Sequence, residues 1–444
     1  MKFISNLFIT FWTQLAVVVL TFGVSVIIAR ALGPEGKGAY SLIILVPSIL
    51  FVFGNLGIGI ANAYFSGKKK YEISNIASNS VVVALTLGIA MTIAFLVYFL
   101  IFQPSFLRDV QPKEALVLAT MVLPFLLLTG YFNNMLLGLG KIKEFNLVIL
   151  AQGAAFLPLV LFFLLVIKLN IFNVIIAWTI AALIASILSI LLVTRVTKIH
   201  WSFHPSIFKE SVKFGSQFYV GNLLQFLNYR LDMFIVAFFL SASFVGYYSV
   251  AVTFAETLWY FPAAVGTVIF AKTISTTPEE ANKSTPIICR NTIILTVLAA
   301  ILLFAAGKYI IIFFFGSAFL PALQPLQILL PGIIAFSVCK VLSYEIAARG
   351  KPIINTINVA ISLAISIPLD IVLIPRIGIS GAAWASTISY SASAIFSIVI
   401  FTKISGTNWI DLLIPKFEDL KFYRQAFSSI YRINFDRKHP RNHI

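Results

Sequence analysis

The chain has 444 residues, of which 60% are hydrophobic and only 11% charged. Soluble domains carry about 25% charged residues, so a water-soluble fold of this length is excluded. The net charge of +16 would suit a nucleic-acid binder in a soluble protein, but in so apolar a chain it marks cytoplasmic loops, and nucleic acid is not an expected partner.

Twelve apolar stretches succeed one another, at approximately 7–29, 39–63, 79–102, 114–137, 145–167, 172–193, 214–240, 244–270, 287–306, 322–346, 353–374 and 378–402. About 20 residues rising 1.5 Å each cross a hydrocarbon core. Backbone polar groups in lipid must be satisfied within the segment, so these spans are helices. The period-two alternation of a β-barrel is absent. Ala29-Arg30-Ala31 has the form of a signal-cleavage site, but the apolar run before it exceeds a signal h-region and reads as a retained first span.

An even number of spans puts both ends on one side. With both termini cytoplasmic, only Arg30, Lys37, Arg108, Lys113, Lys168, Lys308 and Arg376 lie outside, while the other loop and tail cations lie inside, a bias of about three to one. This orientation predicts a multi-pass protein of the inner (cytoplasmic) membrane. Residues 404–444 form a basic cytoplasmic tail, and Asp411–Ile433 mixes Leu412, Phe417 and Leu420 with Lys416, Lys421 and Arg424. That pattern fits either an interfacial helix on an anionic membrane surface or a basic tail that only fixes topology.

The two halves echo each other. Leu32, Gly38, Tyr40 and Ser41, at the joint of spans one and two, recur as Leu240, Gly246, Tyr248 and Ser249 at the joint of spans seven and eight. Gly140-Lys141 recurs as Gly350-Lys351, and Ala177-Trp178 as Ala383-Trp384. A six-span unit returns to its own side of the membrane, so the repeats are parallel. The expected fold is all-α integral membrane: twelve transmembrane helices in two parallel six-helix bundles, residues 1–200 and 201–403, around a central cavity that holds the substrate near the midplane.

Charges inside spans are functional candidates, since insertion scales charge about 2.5–3.5 kcal/mol for each at the bilayer centre. In span seven, Gln217, Gln225, Asn228 and Asp232 fall within about 80° of one another at 100° per residue. Such a stripe faces either an aqueous lumen, the preferred reading, or a neighbouring helix. Arg230, two residues from Asp232, points away from it. In span ten, Ser337, Lys340 and Tyr344 share a face; Lys340 either snorkels to the cytoplasmic interface or meets an anionic substrate. Glu345, close to the cytoplasmic end, is expected to snorkel to that interface. Glu256, mid-span among Tyr248, Trp259 and Tyr260, suggests a proton or cation site or a partner for Arg230. Asp370 and Glu35, near outer helix ends, are expected to be solvated. Gly54, Gly57 and Gly59 in span two favour helix packing, with local unwinding as the other option. Cys289 and Cys339 make neither a disulfide framework nor a metal site. Two histidine pairs, His200 with His204 and His439 with His443, lie in basic polar segments. No nucleotide-binding loop or catalytic constellation is present, so neither an enzyme nor a cofactor is expected.

The segment Arg30-Ala31-Leu32-Gly33-Pro34-Glu35-Gly36-Lys37-Gly38-Ala39-Tyr40 resembles the loop after the first helix of polysaccharide transporters, the O-antigen-type flippases of the multidrug/oligosaccharidyl-lipid/polysaccharide exporter superfamily. Asn228-Tyr229-Arg230-Leu231-Asp232, Phe314-Phe315-Gly316-Ser317-Ala318-Phe319, the Gly350-Lys351 turn and Gly378-Ile379-Ser380-Gly381-Ala382-Ala383-Trp384-Ala385 resemble further motifs of that family, so the likeness spans nearly the whole chain. The resemblance implies a flippase that moves polyprenyl-diphosphate-linked oligosaccharide from inner to outer leaflet by alternating access, for cell-surface polysaccharide synthesis. It also implies that spans one and seven line the cavity. Arg230 and Lys340, with Arg30 at the outer mouth, become diphosphate candidates. Asp232 and Glu256 offset those cations and are candidates for proton or sodium coupling. Membrane lipids, glycosyltransferases and a polymerase of the same pathway are the implied partners. Two rivals remain: an ion-coupled small-molecule exporter of the same superfamily, and a non-transporting scaffold for polymer-synthesis enzymes.

Overall fold

The protein is represented by a computed structural model that describes residues 2–107 and 110–416. Helices follow one another along the chain, and no strand occurs among the described residues. They are α1 (Lys2–Asn55), α2 (Ile58–Lys68), α3 (Ile73–Phe102), α4 (Lys113–Met121), α5 (Leu123–Gly138), α6 (Ile142–Phe162), α7 (Ile171–Thr194), α8 (Pro205–Phe239), α9 (Ala242–Thr257), α10 (Tyr260–Ser275), α11 (Pro278–Phe315), α12 (Leu323–Ala348), α13 (Ile353–Ile377), α14 (Ile379–Ser405) and α15 (Trp409–Leu413). Each of the twelve expected spans falls on helix. Among the described residues, ten helical stretches are long and apolar enough to cross a membrane. One of them, Phe8–Asn55, runs for 48 residues, more than twice what one crossing needs.

The helix breaks have local causes. Inside α1, Gly33 adopts φ 67° and ψ −172°, a conformation open to glycine because it lacks Cβ. Pro34 follows, its fixed φ suited to starting the second arm. α8 falls short of the apolar threshold although it has 35 residues, since it carries the polar stripe. The Gly140-Lys141 and Gly350-Lys351 echoes are the same backbone device. Both glycines are left-handed, and Lys141 N–H bonds the Leu136 carbonyl (2.9 Å) as Lys351 N–H bonds that of Ile346 (3.2 Å). This six-to-one closure is the Schellman end of a helix.

The chain forms two compact units. Of the described residues, one holds 2–107, 110–252, 308–325 and 363–385; the other holds 253–307, 326–362 and 386–416. The first is built on Ile58, Phe65, Leu123, Leu127, Tyr131, Phe132 and Met135. The second centres on Ile269, Val341, Leu342 and Phe401, with free, buried Cys289. Many large apolar side chains are exposed along the helices, Leu100, Ile101 and Phe102 on α3 and Leu298, Ile301 and Leu302 on α11 among them. A soluble fold cannot present so much apolar surface to water; a lipid-facing one does. The start of the tail is packed rather than solvated. Leu412 of α15 is buried in the second core, and Arg290 donates to the Asp411 carbonyl at 2.5 Å. Most of the expected interfacial helix over 411–433, and His439 and His443, lie outside the described residues.

Candidate functional site

α8 carries the site in the first unit. At 100° per residue, its apolar residues Leu227, Leu231, Phe234 and Phe238 take one side, and Asn228 and Asp232 lie about a quarter-turn round. Asn228 and Asp232 are each 7% exposed. The stripe therefore does not face lipid along this stretch, whereas Gln217, further toward the start of α8, is exposed. Asp232 Oδ1 accepts from the Met233 N–H and Oδ2 from the Tyr248 hydroxyl, both at 2.7 Å. Tyr248, itself fully buried, is the second-half counterpart of Tyr40.

Asp370 on α13 corrects the sequence expectation. Its place near a helix end predicts solvent, yet it is 2% exposed and within electrostatic reach of Asp232. The signal that would have found it is weak: Pro368 and Pro375 flank it on a helix otherwise apolar on both sides. Asp370 Oδ1, both amide atoms of Asn228 and Gln225 Nε2 are buried without a hydrogen-bond partner in the protein. Buried polar atoms are normally satisfied; here four on Gln225, Asn228 and Asp370 are not, with the buried Asp232 carboxylate on the same helix as Asn228. Arg230, half-buried, donates from Nη1 to the Tyr229 carbonyl at 3.0 Å.

The other candidates of the first unit hold helices together. Arg30 is exposed; its Nε donates to the Phe314 carbonyl at 2.7 Å and its Nη2 to that of Phe313. A cation on the carbonyls ending α11 opposes that helix's dipole. The repeat-equivalent glycines Gly38 and Gly246 meet: a Cβ on Gly38 would stand 1.7 Å from the Ala242 carbonyl oxygen, and one on Gly246 would stand 2.1 Å from that of Pro34. Toward the opposite ends of these helices, Gly57 and Gly215 touch backbone to backbone. Gly57 has φ 76° and separates α1 from α2, so span two uses its glycines for unwinding as well as packing. Nearby, Glu210 near the start of α8 takes Lys70 and the Tyr71 hydroxyl on its two carboxylate oxygens. The Lys70 and Tyr71 bonds hold the Glu210 carboxyl below its ordinary pKa, and the bond to Glu210 lifts that of Lys70.

The second unit holds the remaining candidates. Lys340 Nζ lies 4.8 Å from the Trp259 ring centroid and 5.5 Å from that of Phe336. Tyr390 packs on both rings at 5.3 and 4.9 Å. Glu256 sits where α9 ends, before the Leu258–Trp259 break, and Lys340 is within its electrostatic reach. Tyr344 lies against Gly266, where any Cβ would strike its ring. Glu345 does not snorkel to the cytoplasmic interface, where its place near the helix end put it: fully buried, it accepts from Arg349 at 2.9 and 2.7 Å and from the Thr273 hydroxyl. Among the described residues no group of three or more His, Cys, Asp or Glu could hold a metal ion.

Comparison with known proteins agrees with this picture. Residues 3–270 match the family model described as polysaccharide biosynthesis protein. The fold is similar to a structure of the lipid II flippase MurJ in an inward closed conformation (TM-score 0.75, 18% identity, 90% of this chain and 87% of that one). It is also similar to an inward-facing multidrug resistance MATE family transporter of the MOP superfamily (TM-score 0.71, 15% identity, 88% and 94% covered). An outward-facing transporter of that kind matches at TM-score 0.57, with 16% identity over 89% of this chain and 95% of that one. No curated protein sequence matches this one. At such identities the likeness speaks for the fold, an all-helical, multi-pass membrane architecture.

Proposed function

Since the chain belongs to the polysaccharide biosynthesis protein family, we propose that it is a flippase moving polyprenyl-diphosphate-linked oligosaccharide from the inner to the outer leaflet by alternating access. The observation that carries this reading is the polar face of α8. Asn228 and Asp232 are withdrawn from lipid and set with Asp370 among unsatisfied polar atoms. Groups that expensive in a bilayer accompany substrate or ion paths. Arg230 supplies a cation on the same helix for the diphosphate, and Lys340, held on aromatic faces, is a second. Asp232 and Asp370 form the coupling site: two carboxylates in a low-dielectric setting gain from a shared proton or sodium ion. Glu256 is assigned to holding Lys340. The orientation follows loop charge, with both termini cytoplasmic and the protein in the inner membrane. Its partners are the lipid-linked glycan and the glycosyltransferases and polymerase that make and use it. Transport, and no covalent chemistry, is its activity.

The test is reconstitution of the full chain in vesicles with a fluorescent polyprenyl-diphosphate sugar, scoring leaflet exchange with and without a proton or sodium gradient. Gradient-stimulated exchange is the expected result. Export of small cations without movement of any lipid-linked sugar would favour the exporter reading, and no transport of either kind would favour a scaffold.

A further inference from the structure

A second feature lies beside the polar face of α8. A groove of about 700 Å³ runs along its apolar side, walled by Leu231, Phe234 and Phe238 of α8, Phe53 of α1, Phe106 and Ile371. Phe106 closes edge-to-face on Phe234, ring centroids 5.3 Å apart. The lining is almost wholly apolar, and its volume is that of a small-molecule site. Two of its residues, Leu231 and Ile371, are sequence neighbours of Asp232 and Asp370. An apolar slot and a polar, charged patch thus share two helices within one unit. Arg230 lies on the other side of Leu231 along the same helix.

We infer that this groove is a binding site for the isoprenoid chain of the transported lipid, set so that the chain lies along α8 while the sugar hydroxyls of its head reach the polar face. The inference rests on the flippase reading and adds where the tail goes. Lipid tails surround every membrane helix, but bulk lipid has no use for the paired carboxylates and orphaned amides next to this slot. An amphiphile with a long chain and a polar, hydrogen-bonding head matches both walls at once. Rigid phenylalanine walls also lose little conformational entropy on closing around a chain. By loop charge, the Phe238 end of α8 points outward, so the groove receives the tail in the outer-leaflet half.

The experiment places p-benzoylphenylalanine in place of Phe234 in the full chain, in vesicles, with Ile101, 66% exposed on α3, as the lipid-facing control position. The probes are a radiolabelled long-chain polyprenyl diphosphate and, separately, a radiolabelled phospholipid. Saturable photo-adduct with the polyprenyl probe, several-fold above the control position and above phospholipid, is the expected result. Leu231→Trp, which takes the room of about two methylenes, raises the half-saturating concentration about tenfold, and Ile371→Trp does the same should the first variant not fold. Equal adduct at both positions, or equal labelling by phospholipid, would overturn the inference. Adduct without leaflet exchange would keep the groove and discard the transport reading. Exchange without adduct would do the reverse.

Discussion

In the first unit, Asp232 and Asp370 are buried within electrostatic reach of each other, and Asp370 Oδ1 and both amide atoms of Asn228 have no partner in the protein. In the second, Glu345 is fully buried and meets three donors from Arg349 and Thr273, while Lys340 rests on the faces of Trp259 and Phe336. Position along a span does not separate these groups: Asp232 is bonded through both oxygens, as Glu345 is, and the carboxylate that differs is Asp370, whose Oδ1 has no partner in the protein. A buried charge whose bonds are all made holds helices together. A buried charge set among unmade bonds is poised for a ligand.

Four perturbations sharpen that contrast, and the largest effect belongs to the satisfied charge. Glu345→Ala leaves Arg349 facing a dry core and should cost about 3–5 kcal/mol of stability, read as a large drop in thermal midpoint in detergent. Little change would mean the network is slack. Asp232→Asn should do the opposite. It keeps the shape and an oxygen to accept from Tyr248, so the midpoint moves little, but it removes the negative charge a coupling cation needs, worth about 1.5–3 kcal/mol to the bound ion, so exchange falls about ten- to a hundredfold. Loss of folding rather than transport would put Asp232 with Glu345. Lys340→Met removes a cation–π contact worth about 0.5–2 kcal/mol. Its effect should appear in the affinity for a diphosphate-bearing lipid before it appears in stability.

The smallest effect concerns the Glu210 clip, which is exposed and screened by salt. Its carboxyl titrates below the ordinary value because Lys70 and Tyr71 bond the charged form. The clip is therefore complete above the ordinary carboxylate pKa and is lost only as pH falls through the lowered one. Cysteines at 71 and 210 would cross-link poorly for want of the clip, so the measurement is a fluorescence distance between labels at 69 and 209. It should be constant from neutral pH down to the ordinary carboxylate range and lengthen below it.

Much of this was legible in the sequence. Span positions follow from uninterrupted apolar runs, and the polar stripe of α8 follows from 100° arithmetic; Asn228 and Asp232, which it puts on one face, are both buried. The turns at Gly140 and Gly350 were visible because the same glycine-lysine pair serves both. Asp370 was not legible. A lone carboxylate near a helix end reads as solvated, and only packing by other segments shows that water does not reach it. Arg30 on the carbonyls of α11 was hidden for the same reason, since its partners lie more than 280 residues away. Lys340 was half legible: Phe336 is one turn away on α12, but Trp259 and Tyr390 come from distant stretches. Gln217 shares the stripe's angle yet is exposed.

The central claim is that the face of α8 bearing Asn228, closed off here, opens to water during transport. Thiol accessibility measures it directly. In a chain with Cys289 and Cys339 replaced by Ser, a cysteine at 225 or 228 should react with a membrane-impermeant maleimide in intact vesicles, and protection by a lipid-linked sugar should follow. A cysteine at 393, buried in the second unit, should stay inert. Unreactive cysteines at both 225 and 228, with and without an ion gradient, would contradict the account.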